Sequence, residues 1–182
     1  RAFAPFAFSL PSVPRRQFVT ERDAAFADDR ETGEVFLDSS DQLGTSYAAT
    51  TPLLLARYLR IRAGESLSFT RKASAEINYV MRGAGTTKSL GERVDWAAGD
   101  VMCFPGGVVT SYQASEDSVL FLVCNEPLLA LEQLEPPREG HGRVGPVHWQ
   151  HDAIEQHLDR VYQRENSSET AGNAVQLVST AM

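Results

Sequence analysis

Residues 64–83 have the sequence GESLSFTRKASAEINYVMRG, and residues 99–110 have the sequence GDVMCFPGGVVT. In both stretches, short apolar or alternating runs are separated by residues that favour turns. Gly83 and Gly85 allow a tight hairpin because glycine adopts positive φ at little cost. The Gly-Asp and Pro-Gly-Gly sequences of the second stretch favour two further turns. The pattern therefore predicts antiparallel strands joined by tight turns.

The same pattern extends over residues 34–134. Each candidate strand is either alternating or wholly apolar, and the candidates are residues 34–38, 53–62, 66–72, 76–82, 85–89, 93–96, 101–104, 109–113, 118–124 and 127–133. Many short strands with Gly-rich turns and no helical period are typical of an all-β sandwich or closed barrel. Closure also removes the exposed edges of an open sheet.

The chain divides into three predicted parts: an N-terminal arm at residues 1–33, a β-barrel at residues 34–135, and a Pro/Gly linker, helix and strand-like tail at residues 136–182. The arm, in which residues 20–32 favour a short helix, either lies along the barrel surface or is exchanged between subunits. Its three prolines within the first 14 positions argue against a continuous helix.

The C-terminal helix is predicted over residues 152–164. Asp152 is its expected N-cap, and Glu155 follows at the spacing of a capping box. Apolar side chains recur on one helical face beyond that cap. Residues 174–182 then have the pattern of an apolar strand.

Composition narrows the possible functions. The 182 residues, 42% of them hydrophobic, suit a single domain. A net charge of −7 argues against nucleic acid or an anionic membrane surface as a partner. The apolar stretches are shorter than the roughly 20 residues of a membrane-spanning helix. Pro5 and Pro11 interrupt the start of the chain, so no signal peptide is expected. Two cysteines make no disulfide framework, so we expect a cytoplasmic protein.

The glycine and proline spacing resembles the two motifs of the cupin superfamily. The positions that match the first motif, separated by five, one, three and six residues, are Gly64, Thr70, Lys72, Glu76 and Gly83. Those that match the second, separated by five, one and two residues, are Gly99, Pro105, Gly107 and Thr110. The resemblance implies a cupin double-stranded β-helix, or jelly-roll, with an N-terminal arm and a C-terminal helix.

By this resemblance, metal-binding cupins have histidine where this chain has Thr70, Lys72 and Thr110, and glutamate at the position of Glu76. Three imidazoles and a carboxylate suit iron, manganese, zinc or nickel. Threonine hydroxyls are weak ligands, and lysine binds a metal only after it loses its proton. We therefore expect no metal ligands and no cofactor, and Fe(II) only if a non-standard site exists.

If the cupin frame holds, the same positions converge inside the barrel. The expected ligand pocket consists of Thr70, Lys72, Glu76, Thr110 and Tyr112, the last of which is two residues beyond Thr110 on the same face. Lys72 either pairs with a buried Glu76 or extends to the barrel mouth. A cationic pocket would suit a small anionic or aromatic carboxylate ligand. No catalytic residue is identified.

The remaining metal-binding residue types lie outside these motifs or in strands. His141, His148, His151 and His157 are predicted to be solvated residues of the linker and helix. Cys103 and Cys124 fall on predicted strands, where buried, inert thiols are expected.

The order of arm, barrel, linker and helix is similar to the N-terminal half of two-barrel cupins of the gentisate 1,2-dioxygenase type. In that group one barrel holds iron and the other is degenerate. The sequence thus favours a non-metal small-molecule-binding or oligomerisation module. The alternative is a ring-cleaving dioxygenase with a non-standard site or a partner barrel. A metal-free sugar epimerase ranks last because no histidine lies in the barrel. The resemblance also implies a homodimer.

Overall fold

The structure, a computed structural model, describes residues 12–136 and 142–165. These residues form ten strands, which are β1 (Gly33–Phe36), β2 (Leu55–Ile61), β3 (Ser66–Thr70), β4 (Ala75–Arg82), β5 (Ala84–Ser89), β6 (Glu92–Ala97), β7 (Val101–Pro105), β8 (Val109–Ala114), β9 (Ser118–Cys124) and β10 (Val147–Trp149). They also form four helices, which are α1 (Val19–Phe26), α2 (Ser40–Leu43), α3 (Glu126–Glu132) and α4 (His151–Glu165).

The strands form two antiparallel sheets that pack face to face. The six-stranded sheet has the order β1-β2-β9-β4-β7-β10, and the four-stranded sheet has the order β3-β8-β5-β6. Side chains that alternate inward from both sheets fill the space between them. The members of this core are Leu59, Ile61, Val80, Trp96, Met102, Phe104, Tyr112, Ala114, Leu120 and Leu122. The predicted all-β jelly-roll is confirmed.

One predicted strand is wrong, because residues 127–133 lie mostly in helix α3. Pro127 occupies the first turn of this helix, where a missing N–H breaks no hydrogen bond. The leucine-rich run that follows has high helix propensity. Gln133 ends the helix in the left-handed region, with φ of 55°. An apolar run this short does not by itself distinguish a buried strand from a helix.

The predicted C-terminal helix is confirmed as α4, but its cap is not Asp152. That residue lies in the first turn, and the capping carboxylate is Asp100, between β6 and β7. Asp100 Oδ1 accepts the backbone N–H of His151 at 2.8 Å, and Asp100 Oδ2 lies 2.8 Å from His148 Nε2. The same carboxylate therefore ties both β10 and α4 to the barrel.

The region that the sequence suggested to be linker contributes a strand, because β10 pairs with β7 at the edge of the six-stranded sheet. In the arm, α1 packs beside β1 and β2, with the rings of Phe26 and Tyr58 6.3 Å apart. The predicted tail strand at residues 174–182 lies outside the described residues. Within the described ranges, no helix is both long and apolar enough to cross a membrane.

A buried charged cluster as the candidate functional site

Thr70 and Lys72 lie on the outside of the barrel. Phe69 is the cross-strand neighbour of Thr110 and packs against the core, so the next residue, Thr70, faces out beside Val109. Lys72 is exposed in the bend that follows β3. The expectation that these two side chains line the interior is therefore wrong. The alternating apolar residues Leu67 and Phe69 define the inner face of β3, so the residue that directly follows each of them faces outward.

Arg71 enters the barrel in their place, and only 7% of its surface is exposed. Its guanidinium carbon lies 3.9 Å from the centre of the Phe69 ring. Its Nη2 donates to Glu34 Oε1 at 2.6 Å, and its Nε lies 3.0 Å from Glu76 Oε2. The buried partner of Glu76 is thus Arg71, and the proposed Lys72–Glu76 ion pair does not form.

Glu76 and Tyr112 meet inside the barrel, as the sequence predicted for these two residues. The Tyr112 hydroxyl lies 2.8 Å from Asn78 Oδ1 and 3.3 Å from Glu76 Oε1. A hydroxyl has one proton, so it can donate to only one of these two acceptors at a time, and the Asn78 oxygen is the nearer. Thr110 also faces inward, but its Oγ1 lies 3.1 Å from Ser89 Oγ, away from the carboxylate.

A second buried guanidinium, that of Arg57, completes the cluster. Its Nη1 donates to Glu34 Oε1 at 3.2 Å, and its Nη2 donates to Glu126 Oε2 and, at 3.0 Å, to Cys124 Sγ. Glu126 also accepts the backbone N–H of Lys72 at 3.2 Å. The charged cluster, as we define it here, is Glu34, Arg57, Arg71, Glu76 and Glu126.

The charged cluster contains three carboxylates and two guanidiniums, so its formal charge is −1 when all are ionised. Three of its buried polar atoms have no hydrogen-bond partner among the described residues: Arg57 Nε, Arg71 Nε and Glu76 Oε2. The last two lie close together, but the N–H is not aimed at the oxygen. Each unsatisfied buried group costs about 1–3 kcal/mol, so the cluster favours an additional polar group.

Two carboxyl groups of the cluster have pKa values shifted in opposite directions. Burial raises the pKa of Glu76 above its ordinary 4.5, although Arg71 and Arg57 oppose this. Burial also acts on Glu126, but the charge of Arg57 and hydrogen bonds from Arg57 and Cys124 outweigh it and lower its pKa. Burial raises the pKa of the Cys124 thiol to about 12. Glu126, the more strongly paired of the two carboxyls, therefore holds its charge more firmly than Glu76 does.

The turn after β7 holds the bend that carries Arg71. Gly107 donates its backbone N–H to the Arg71 carbonyl at 2.8 Å, and Gly106 donates to the Ser74 carbonyl at 3.1 Å. A Cβ atom on Gly106 would lie 1.7 Å from the Ala73 carbonyl oxygen. The backbones approach this closely only because residue 106 has no side chain.

These residues do not fit the metal ion of a standard cupin. The inward positions of β3 and its bend are occupied by Phe69 and Arg71, and arginine has no lone pair to offer because it remains protonated. The carboxylates already bind the guanidiniums. Within the described ranges, no group of three or more His, Cys, Asp and Glu side chains is placed to bind a metal.

The histidines and cysteines lie apart from the charged cluster or at its edge. His148, predicted to be solvated, is mostly buried against Asp100 at 18% side-chain exposure, whereas His157 is exposed on α4. His141 lies outside the described residues. Both cysteines are buried and free, as predicted.

Sequence reasoning missed four members of the cluster: Glu34, Arg57, Arg71 and Glu126. Two of these had a signal. Leu67 and Phe69 define the apolar phase of β3, and counting by two from them reaches Arg71. Arg57 is a charge within the apolar run LLLARYLRI at residues 53–61. Glu34 and Glu126 are distant in sequence, and only the folded sheet brings them to the arginines.

Two packed antiparallel sheets, closed in jelly-roll order around the turn spacing described above, define a domain of the cupin superfamily. The sequence profile of the AraC-like ligand binding domain matches residues 55–177. The chain belongs to that family.

Solved structures with similar folds include a variant of salicylate 1,2-dioxygenase from Pseudoaminobacter salicylatoxidans in complex with gentisate. It is 18% identical, with a TM-score of 0.53 over 65% of this chain and 35% of that chain. KdgF from Halomonas sp. is 27% identical, with a TM-score of 0.38 over 43% of this chain and 74% of that chain. The chain thus spans about a third of the dioxygenase. No curated protein matches the chain in sequence.

Proposed function

We propose that this domain binds a small organic molecule at the charged cluster, without a metal ion held by the cupin positions. The observation that carries this proposal is the buried Arg71 beside Glu76, at the end of the barrel where the motif would place metal ligands. A guanidinium there repels a divalent cation and supplies hydrogen-bond donors to a ligand.

The unsatisfied atoms support the same proposal. Arg57 has a buried Nε–H without a partner among the described residues, and Arg71 Nε and Glu76 Oε2 form an ion pair at 3.0 Å without an aligned hydrogen bond. A polar molecule that bonds to these atoms relieves a desolvation cost that the empty protein bears, so part of its binding free energy is already built into the fold.

A ligand screen by thermal unfolding tests the binding proposal. We expect at least one class of small polar compound to raise the Tm of the wild-type protein. Arg71→Met should abolish that shift. Lys72→Met, which removes the neighbouring cation from the outer surface, should leave it unchanged. Loss of the shift in Lys72→Met with retention in Arg71→Met would contradict the proposal.

Metal content tests the other half of the proposal. Elemental analysis of the purified wild-type protein should give far less than one transition-metal ion per chain. Glu76→Gln removes the carboxylate of the matched motif position and should not change that content. A stoichiometric metal ion that is lost in Glu76→Gln would show that the cupin site does chelate.

A ring-cleaving dioxygenase remains an alternative prediction, which requires a partner barrel or a non-standard site. No arrangement among the described residues favours it over binding alone. The cytoplasmic location and the absence of nucleic-acid and membrane partners also remain predictions from composition.

We also propose a homodimer, formed through the outer face of the six-stranded sheet. The exposed side chains of β4 on this face are all apolar or aromatic: Ile77, Tyr79 and Met81, at 54%, 43% and 39% exposure. Each copy carries a net charge of −7, and an uncharged face lets two copies meet without opposing like charges. Tyr79→Glu should convert the dimer to a monomer in light scattering, whereas Ser111→Glu on the other sheet should not.

A further inference from the structure

The charge balance of the charged cluster limits which anions it accepts. Three carboxylates already face two guanidiniums. An added ligand carboxylate would bury yet more negative charge, which is strongly unfavourable. A ligand that carries a carboxylate can therefore enter only if one resident carboxylate leaves.

Glu126 is the carboxylate of the charged cluster that a ligand can displace most easily. Its side chain is 24% exposed, against 14% for Glu34 and 3% for Glu76. It is the first residue of the short helix α3, at the surface of the barrel end. Glu34 and Glu76, by contrast, belong to strands held by sheet pairing on β1 and β4.

The contact between Glu126 and Arg57 is also incomplete. Glu126 bonds to Nη2 only, while the adjacent Nε–H of the same guanidinium has no partner among the described residues. Nε–H and one Nη2–H point in nearly the same direction and match the two oxygens of a carboxylate. A carboxylate that is free to orient itself can use both donors.

We propose that Glu126 acts as an internal stand-in for the ligand, and that a small molecule bearing one carboxylate binds Arg57 by displacing it. This inference rests on the proposed binding function and names its ligand class. The exchange leaves the charge of the cluster unchanged, because one carboxylate replaces another. It also breaks the bond from Glu126 to the backbone N–H of Lys72, whereas the hydrogen bonds between Ser74 and Asn125 keep the bend after β3 attached to the start of helix α3.

Benzoate is a suitable probe, with benzamide as its uncharged match. Titration calorimetry should give a benzoate Kd about tenfold lower in Glu126→Gln than in the wild-type protein, since the competing charge is gone. Glu132→Gln alters an exposed carboxylate on the same helix and should behave as wild type. Benzamide should bind much more weakly than benzoate to every variant.

Two further variants keep the test decisive. Glu126→Asp shortens the stand-in without removing its charge and should give an intermediate Kd if Glu126→Gln does not fold. Arg57→Lys loses the paired donors and should weaken benzoate binding in the Glu126→Gln background.

Equal benzoate affinity in wild type and Glu126→Gln overturns the stand-in role, as does benzamide binding as tightly as benzoate. Either result leaves the proposed function in place if another compound still gives a Tm shift that depends on Arg71. Stoichiometric metal bound through Glu76 would overturn the proposed function itself.

Discussion

The two ends of the barrel interior are built on the same strands but differ in chemistry. Along the inner face of β4, Glu76 is followed by Asn78 and then Val80, and on β2 the charge of Arg57 gives way to Leu59. One end is a closely packed apolar core, and the other is a buried ionic network with unsatisfied atoms. The apolar end supplies the stability that lets the charged end remain incompletely bonded.

Removal of one guanidinium should have the largest effect on this contrast. Arg57→Met leaves Glu34 and Glu126 buried without their shared partner and should lower the free energy of unfolding by about 3–5 kcal/mol. Arg93→Met breaks an exposed pair and should change the free energy of unfolding much less. Urea unfolding measures the free energy of unfolding of both variants. Equal decreases would show that the ion pairs of the charged cluster contribute no more to stability than an exposed pair does.

A cavity at the apolar end should be slightly less costly. Leu120 is fully buried in the core, and Leu120→Ala should lower the free energy of unfolding by about 2–5 kcal/mol. The benzoate Kd at the charged end, measured by titration calorimetry on the folded fraction of this variant, should be unchanged. A change in affinity would mean that the two ends are not independent.

The pH dependence of stability should differ between two carboxylates of the one cluster. The pKa of Glu76 is raised in the folded state, so its contribution is full below about pH 4.5 and declines as pH rises through the folded pKa. Glu76→Gln should therefore gain stability relative to wild type as pH rises above 4.5.

Glu126 provides the opposite case for that measurement. Its folded pKa is lowered, so its contribution is present above its ordinary 4.5 and is lost as pH falls through the folded pKa. Glu126→Gln should thus lose stability relative to wild type at neutral pH and approach it in acid. If the stability of Glu76→Gln and of Glu126→Gln, each relative to wild type, changed with pH in the same direction, the opposite pKa shifts of Glu76 and Glu126 would be contradicted.

The smallest effects should come from the outer positions of the first motif. Thr70→Ala and Lys72→Met alter exposed side chains and should change the free energy of unfolding by no more than about 0.5 kcal/mol. Neither should change the Tm shift caused by a ligand. A large drop in the free energy of unfolding, or loss of the ligand-induced Tm shift, would show that Thr70 or Lys72 does belong to the candidate site.

The turn spacing of the sequence was enough to predict the fold. Gly83, Gly99 and Gly107 have φ values of 89°, 92° and 74°, so the positions that carried the resemblance are those where the backbone requires glycine. Such requirements are local and can be detected in a single sequence.

The site could be predicted only in part, because a motif position does not state which way its side chain points. Glu76 and Tyr112 were found, whereas Thr70 and Lys72 were placed on the wrong face by trusting motif spacing over the apolar phase of β3. The role of Glu126 depends on α3, which the apolar pattern had suggested to be a strand. Long-range pairing of charges is a property of the folded sheet and not of any one segment.

The close contact between Gly106 and Ala73 limits which positions of this barrel can accept a different side chain. A change at an inward side chain such as Phe69 or Arg71 alters what the barrel interior offers a ligand, and its cost falls on side-chain packing and ion pairs rather than on the approach of two backbones. Any larger residue at 106 would collide with the neighbouring carbonyl and move the whole bend. Descendants of this domain should thus diversify in chemistry while they inherit that glycine.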